Sequence, residues 1–415
     1  MTQTQSERAE ILKNVTRIVE EKHFNPKRNQ SDWKRVVEAE TPTILAAETA
    51  ESFEAAMQRL ITQLGSSHTA FFHESGESVP ARYAINATFH QFETHRGLRW
   101  VFQDVLEGGP AHSSGLRPGE ILLTVSSQEV TPPCNPTFGM GAGHELTVEG
   151  LDGQDRTVTV EIPKQQAKDR PPMVEPRSVA HSLVSGDIAL LKVTVFPGDA
   201  GVKFASELDA AVAEIKRQKC SRLIVDLRAN IGGGLGALRL MSYLTPDRIP
   251  IGHSLTKRRA ERGYRKESLT RIGKIPSSKA GLIWMGIRFR YIQKDRSMVL
   301  VTEGLGPQPF HGKTVLLVNE FTNSAGEMVA GFAAENRLAT IVGTRTAGAV
   351  LGGANFRVGS GYRFRLPVTG WITWQGNTLE GKGVSPDVPI EVSYGALRSG
   401  NDRQLEKAIE VVRSL

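Results

Sequence analysis

At 415 residues the chain is long enough for two or three domains, and 39% hydrophobic with 23% charged residues is an ordinary globular composition. Two cysteines, Cys134 and Cys220, exclude a disulfide framework and a four-cysteine zinc site, and ten histidines without HxH or HxxxH pairing give no metal site, so no cofactor is expected. The net charge of +7 is mildly basic and densest at Lys257–Lys266, which reads as a solvated loop; without interleaved aromatics it implies no nucleic-acid partner.

The N-terminus, MTQTQSERAEILKNV, lacks the apolar run of a signal peptide, and no window reaches transmembrane length. A full-length chain of this kind is expected in the cytoplasm; removal of a signal would place it in the periplasm or outside the cell. Residues from Glu7 to about Gly65 look helical. The clearest helix is Ser52–Leu64, with Phe53, Met57, Leu60, Ile61 and Leu64 on one face and Gly65 to stop it. Ser66, Ser67 and His68 follow, where a histidine either caps the helix carbonyls or does chemistry.

From about Ala84 the period changes to two. Ile85–Phe89, Leu98–Phe102, Leu146–Val148 and Thr157–Ile162 read as strands, with a short helix beginning at Pro110-Ala111. Lys164–Ser178 reads as a linker. Beyond it a strand (Asp187–Phe196), an amphipathic helix (Ser206–Lys219) and a buried strand (Leu223–Arg228) alternate, as in an α/β domain with largely parallel pairing. That last strand ends at Asn230-Ile231-Gly232-Gly233-Gly234, where glycines let backbone N–H groups approach a ligand. Residues 245–312 are poorly patterned apart from Met298–Val301 and suggest an insertion or lid. Tyr362–Val368 and Trp371–Trp374 look like a hairpin across Thr369-Gly370, and Asp402–Leu415 like a closing amphipathic helix.

Thr314–Gly348 reads as strand, sharp turn, helix, strand, with Ser324 at the turn. A serine there either caps the helix or serves as a nucleophile, because unpaired N–H groups at a helix start favour the negative charge of an acyl-transfer oxyanion.

Five stretches in this order resemble the tail-specific (C-terminal processing) serine peptidase family, S41, and its tricorn-core relatives. They are LGSSHT at Leu64–Thr69, the Pro110-Ala111 to Leu122 signature of PDZ domains, DLRANIGGG at Asp226–Gly234, NEFTNSAGE at Asn319–Glu327 and EGKGVSPDV at Glu380–Val388. The resemblance implies a mixed α/β fold: an N-terminal helical region (1–83), an inserted PDZ domain (84–164) and a crotonase-like α/β peptidase core (165–415). It implies a metal-free endopeptidase acting on unfolded or tagged polypeptides, with a homo-oligomer allowed for. A PDZ domain adds an extended peptide to its sheet edge, and the carboxylate-binding loop would fall at Ile85, Asn86 and Ala87.

One departure decides the mechanism. Tail-specific proteases draw their base from a lysine in a TxGKG run; here that run is Thr346-Ala347-Gly348-Ala349-Val350, and alanine cannot be a base. The tricorn-like branch uses a serine–histidine pair, a nucleophilic serine and a glutamate, which Ser67, His68, Ser324 and Glu380 match. The resemblance then makes His68 the general base for Ser324, with Ser67 and Glu380 orienting it, and Gly232 or Gly233 with Ala325 as oxyanion donors. Competing readings are an inactive peptide- or apolar-ligand-binding protein on the same fold, and a Ser–Lys peptidase using Lys313 or Lys382. Asp226 and Arg228 are expected to pair structurally.

Overall fold

The computed structural model describes residues 3–24, 30–75, 79–164, 172–198, 200–276, 278–287 and 297–415. At its centre is a six-stranded sheet, in the order Val179–Ser185, Ile188–Val193, Arg222–Asp226, Thr314–Val318, Thr340–Gly343, Val388–Pro389. The first pair is antiparallel and the rest are parallel. Thr314–Val318 is buried at every position, because helices cover both faces. Leu316 and Val318 point into a core shared with helices Val202–Arg217, Gly236–Leu244 and Ala325–Glu335, whereas Val315 and Leu317 meet Ala408 and Val412 of the closing helix Arg403–Ser414. Alternation along the strand thus assigns one set of side chains to each layer.

A second six-stranded sheet contains Ala70–His73, Tyr362–Thr373, Pro250–Thr256, Met298–Val301 and Thr270–Ile272 in that order, with Gly352–Gly359 also on Tyr362–Thr373. Two expectations change here. The Thr369-Gly370 hairpin is instead the middle of one continuous strand. Thr369 pairs with both Gly352 and Thr256, so hydrogen bonding on either side holds the chain extended. Gly370 is there because the Phe24 ring occupies the place of a side chain, 2.0 Å from where a Cβ would sit. Residues 245–312, expected as an insertion or lid, contribute three strands to this sheet; 277 and 288–296 of that stretch lie outside the described residues.

The N-terminal region is helical as expected, in Gln5–Lys22, Gln30–Leu45 and Ala50–Thr62. It is not a separate body, since Phe53, Met57 and Leu60 share a core with Phe71, Tyr362, Phe364 and Leu366 of the second sheet. Between Ala70–His73 and the central sheet sits a β-rich unit with its own core. Its antiparallel strands run in the order Ala87–Thr94, Gly97–Val105, Ile121–Val125, Gly143–Glu149, Asp155–Glu161, and a short helix spans Pro110–Ser113. The unit begins nearer Val79 than Ala84, because Val79–Pro80 pairs with Thr137–Phe138 and Ala81 packs in the same core. Of the expected linker, 165–171 lies outside the described residues.

Candidate active site

Ser324 lies where the strand Thr314–Val318 turns into the helix Ala325–Glu335. Its φ of 53° and ψ of −115° fall in a region that side-chain-bearing residues rarely adopt, at a cost of roughly 1–3 kcal/mol. Neighbouring hydrogen bonds hold it there. The Ser324 N–H donates to the Ala349 carbonyl at 3.0 Å and to Glu327 Oε2 at 3.2 Å, while the Asn323 N–H donates to the Asn230 carbonyl at 2.9 Å.

Glu327, fully buried, is the knot of this turn. Its carboxylate also accepts from Thr346 Oγ1 (2.6 Å), the Gly348 N–H (2.6 Å) and the Ala349 N–H (2.7 Å). Burial pushes its pKa up, and the four donors work against that shift. Ala349 therefore meets the Ser324 turn through its backbone.

The helix Ala50–Thr62 stops before Gly65, and the chain doubles back through Ser66–Thr69 with His68 at φ 58°. There Ser67 and Glu380, 313 positions apart, are joined twice: the Ser67 N–H donates to Glu380 Oε1 at 2.8 Å and Ser67 Oγ to Oε2 at 2.9 Å. Val350 N–H donates to the same Oε2 at 2.9 Å. Since Val350 adjoins Ala349, a short run of backbone connects Glu380 to the Ser324 turn. Ser67 Oγ also lies 3.0 Å from His68 Nδ1.

Proton bookkeeping fixes the imidazole. An ionised Glu380 only accepts, so the Ser67 hydroxyl hydrogen goes to it, and the Ser67 oxygen must then accept from Nδ1–H. Nε2 is left with a lone pair. Burial, reinforced by the Arg365 guanidinium, lowers the His68 pKa to about 4, so the ring is neutral at physiological pH. Among the described residues Arg365 forms no ion pair and donates from Nη1 to Asn355 Oδ1 at 3.3 Å, and burial lowers its own pKa. No direct hydrogen bond joins His68 to Ser324 among the described residues.

The glycine loop approaches from the other side. A Cβ on Gly232 would fall 2.6 Å from Ser324 Cβ, so only glycine fits. The Gly232 N–H is already donated to Asn230 Oδ1 at 2.8 Å. Gly233, at φ 138°, is exposed, and among the described residues its N–H has no partner. Ala325 opens the helix, so its N–H has no carbonyl within it.

Ser67, His68 and Glu380 are thus brought together, and Ser324, Gly232, Gly233 and Ala325 form a second cluster tied to them through Ala349-Val350. Ile85, Asn86 and Ala87 lead into Ala87–Thr94, the end strand of the β-rich sheet. They are buried at 0%, 0% and 1% exposure, and the Ile85 N–H is bonded to Ala81, so a peptide carboxylate has no access there in this arrangement.

The sequence pattern of Peptidase family S41 matches residues 187–390. That stretch belongs to family S41. It contains Ser324, Glu380 and the glycine loop, whereas His68 and Ser67 come from outside it. The chain is 25% identical over 398 residues to a putative tricorn protease homolog 2 of Streptomyces coelicolor, covering 90% of this chain and 29% of that protein. It is 24% identical over 288 residues to a probable CtpA-like serine protease of Staphylococcus epidermidis, covering 69% of this chain and 49% of that one. The chain therefore spans less than half the length of either relative. In fold it is similar to a photosystem II D1 C-terminal processing protease, with TM-score 0.55, 18% identity and 93% of each chain covered.

Within the S41 stretch Asp226 and Arg228 pair as expected, Oδ2 to Nη2 at 2.8 Å and Oδ1 to Nε at 3.0 Å, with Arg228 also reaching Asp402. Lys382 is exposed and Lys313 half-exposed, so neither has the burial that a lysine base needs. Sequence reasoning missed Glu327, Asn230 and Arg365. For Glu327 a signal existed: Ser324-Ala325-Gly326-Glu327 is an S-x-x-E capping pattern. Arg365 gave none, because its closeness to His68 comes from the pairing of Ala70 with Arg365 across the sheet.

Proposed function

We propose that this chain is a serine endopeptidase of the tricorn-like kind, cleaving polypeptides through an acyl-enzyme on Ser324 with His68 as general base. The observation that carries this is the Glu380–Ser67–His68 chain of hydrogen bonds, which leaves the lone pair of Nε2 free. Substrate binding brings the scissile carbonyl between the two clusters and His68 within reach of Ser324 Oγ. Ser324 attacks as Nε2 takes its proton, and the carbonyl oxygen becomes an oxyanion held by the N–H groups of Gly233 and Ala325. Collapse expels the amine, which leaves with the proton from His68. Water then repeats the sequence to release the acid.

Gly233 is preferred to Gly232 as donor because the Gly232 N–H is engaged. The β-rich unit is read as a PDZ domain on its strand order and its helix at Pro110. It would present unfolded chain to the site, though not through the buried Ile85–Ala87 loop.

A fluorophosphonate probe tests the assignment. Labelling of the native chain, lost in both Ser324→Ala and His68→Ala, is expected. Undiminished labelling of His68→Ala would return the base to a lysine, and no labelling of the native chain would favour a binding protein.

A further inference from the structure

The charge of the molecule is concentrated in one place. Residues 257–287 hold nine Lys and Arg against two Asp and Glu, a net +7 that equals the charge of the whole chain; elsewhere 42 basic residues balance 42 acidic ones. Arg258, Arg262, Arg265, Arg271 and Lys274 are exposed, and among the described residues none has an ion pair.

Among the described residues the same stretch bears the two most exposed large apolar side chains, Ile283 and Trp284. Helix Lys279–Ile287 is apolar nearly all round, as a helix buried on every side would be. Yet Ile283 is 64%, Trp284 61% and Ile287 47% exposed. The helix lies in the connection between the edge strand Thr270–Ile272 and its parallel neighbour Met298–Val301. Register places the start of that edge strand level with Ser254, through Thr270 to Met298 and Met298 to Ser254. The basic helix Lys257–Arg262 and the exposed Tyr264 therefore leave the sheet at the end where the edge strand begins.

We propose that this edge of the second sheet docks on an anionic membrane surface, with Ile283, Trp284 and Ile287 entering the headgroup region and the unpaired arginines meeting lipid phosphates. Unpaired cations beside an amphipathic aromatic and branched aliphatics are what an interfacial segment requires. A second copy of the chain is a poor occupant, because two +7 surfaces would face each other. Nucleic acid would satisfy the arginines and leave the isoleucines in water. The helix has nine residues, which fits lying in the interface and not crossing it.

The test is co-sedimentation of the whole chain with phosphatidylcholine vesicles, with and without phosphatidylglycerol. Binding only to the anionic vesicles, weakening with salt, is expected. Arg262→Gln and Arg265→Gln should each weaken partitioning roughly fivefold, and Ile283→Ser with Trp284→Ser should abolish it. Both positions are exposed, so folding, checked by circular dichroism, is expected to survive. Equal affinity for neutral and anionic vesicles, or no vesicle binding, would overturn the proposal. So would self-association in sedimentation velocity that the Ile283→Ser, Trp284→Ser variant removes, or binding to an oligonucleotide in preference to vesicles.

Discussion

His68 sets the pH behaviour of the proposed site. Only the neutral ring accepts a proton, so activity is lost as pH falls through its pKa of about 4, well below the ordinary 6.5. Burial is the larger cause of the depression and Arg365 the smaller. Arg365→Gln removes the second alone, so the acid limb of kcat/KM should move upward in pH without reaching 6.5. A limb that stays in place would show that the guanidinium does not act on the ring. The same shift has a stability consequence. Between pH 6.5 and 4 the unfolded chain binds a proton at this histidine and the folded chain does not, so stability falls as pH drops through that window. Removing the ring is a larger change: His68→Ala should reduce kcat by about a hundredfold to ten-thousandfold, the range for a general base. Ser67→Ala is subtler, since it removes the acceptor that holds Nδ1 protonated, and should lower kcat with little change in KM.

At the scale of elements, the strand–turn–helix at Ser324 depends on one buried carboxylate. Glu327 faces only donors, namely Ser324, Gly348 and Ala349 N–H and the Thr346 hydroxyl. Glu327→Gln turns an NH2 group toward two of them, leaving buried donors unpaired at about 1–3 kcal/mol each. Chemical denaturation should show that loss together with reduced probe labelling of Ser324, whereas loss of stability alone would make Glu327 a mere core residue. Periodicity made these elements legible: Thr314–Asn319, Ser206–Lys219 and Asp402–Leu415 were each read from apolar spacing and lie where expected within a few residues. What could not be read was set by partners distant in the chain. Gly370 looks like a turn residue until the Phe24 ring against it is seen, and Pro250–Thr256 shows no alternation because Gly252 and His253 are buried beside its apolar positions. At the site, residue types were legible from motif order, but the direction of the hydrogen bonds at Ser67 and the engagement of the Gly232 N–H follow from tertiary geometry alone.

At the scale of the molecule, the β-rich unit is held against the rest of the chain by polar contacts. They include Arg398 Nη2 to the buried Glu149 at 2.8 Å, Asn319 Nδ2 to Asp104 at 3.0 Å, His90 to Glu320 at 3.7 Å, and Arg82 to the carbonyls of Asn230 and Phe321. The Arg82 contact differs in kind. Among the described residues its guanidinium has no carboxylate in ion-pair contact, its Nε is unpartnered, and burial lowers its pKa against the weaker pull of Tyr83, Asp104 and Glu327. A charge held this way is costly, yet it grips the residue whose side chain takes the Gly232 N–H and the residue three before Ser324. Arg82→Met keeps the aliphatic stem and removes the grip. Deleting an unpaired buried charge stabilises, and stranding the Phe321 carbonyl destabilises by about 1–3 kcal/mol, while the Asn230 carbonyl keeps the Asn323 N–H, so net stability should change little. The loop from Ala229 to Gly234 loses an external tie and should exchange its amide hydrogens faster. If the oxyanion donors are positioned from the β-rich unit, kcat falls while KM for a short peptide is nearly constant. Faster exchange with unchanged kcat would mean that the loop's remaining bonds suffice, among them those from Gly234 to Phe196, Ile231 to Thr194, Ala229 to Asn319 and Asn323 to Asn230, and that the unit serves only to receive substrate.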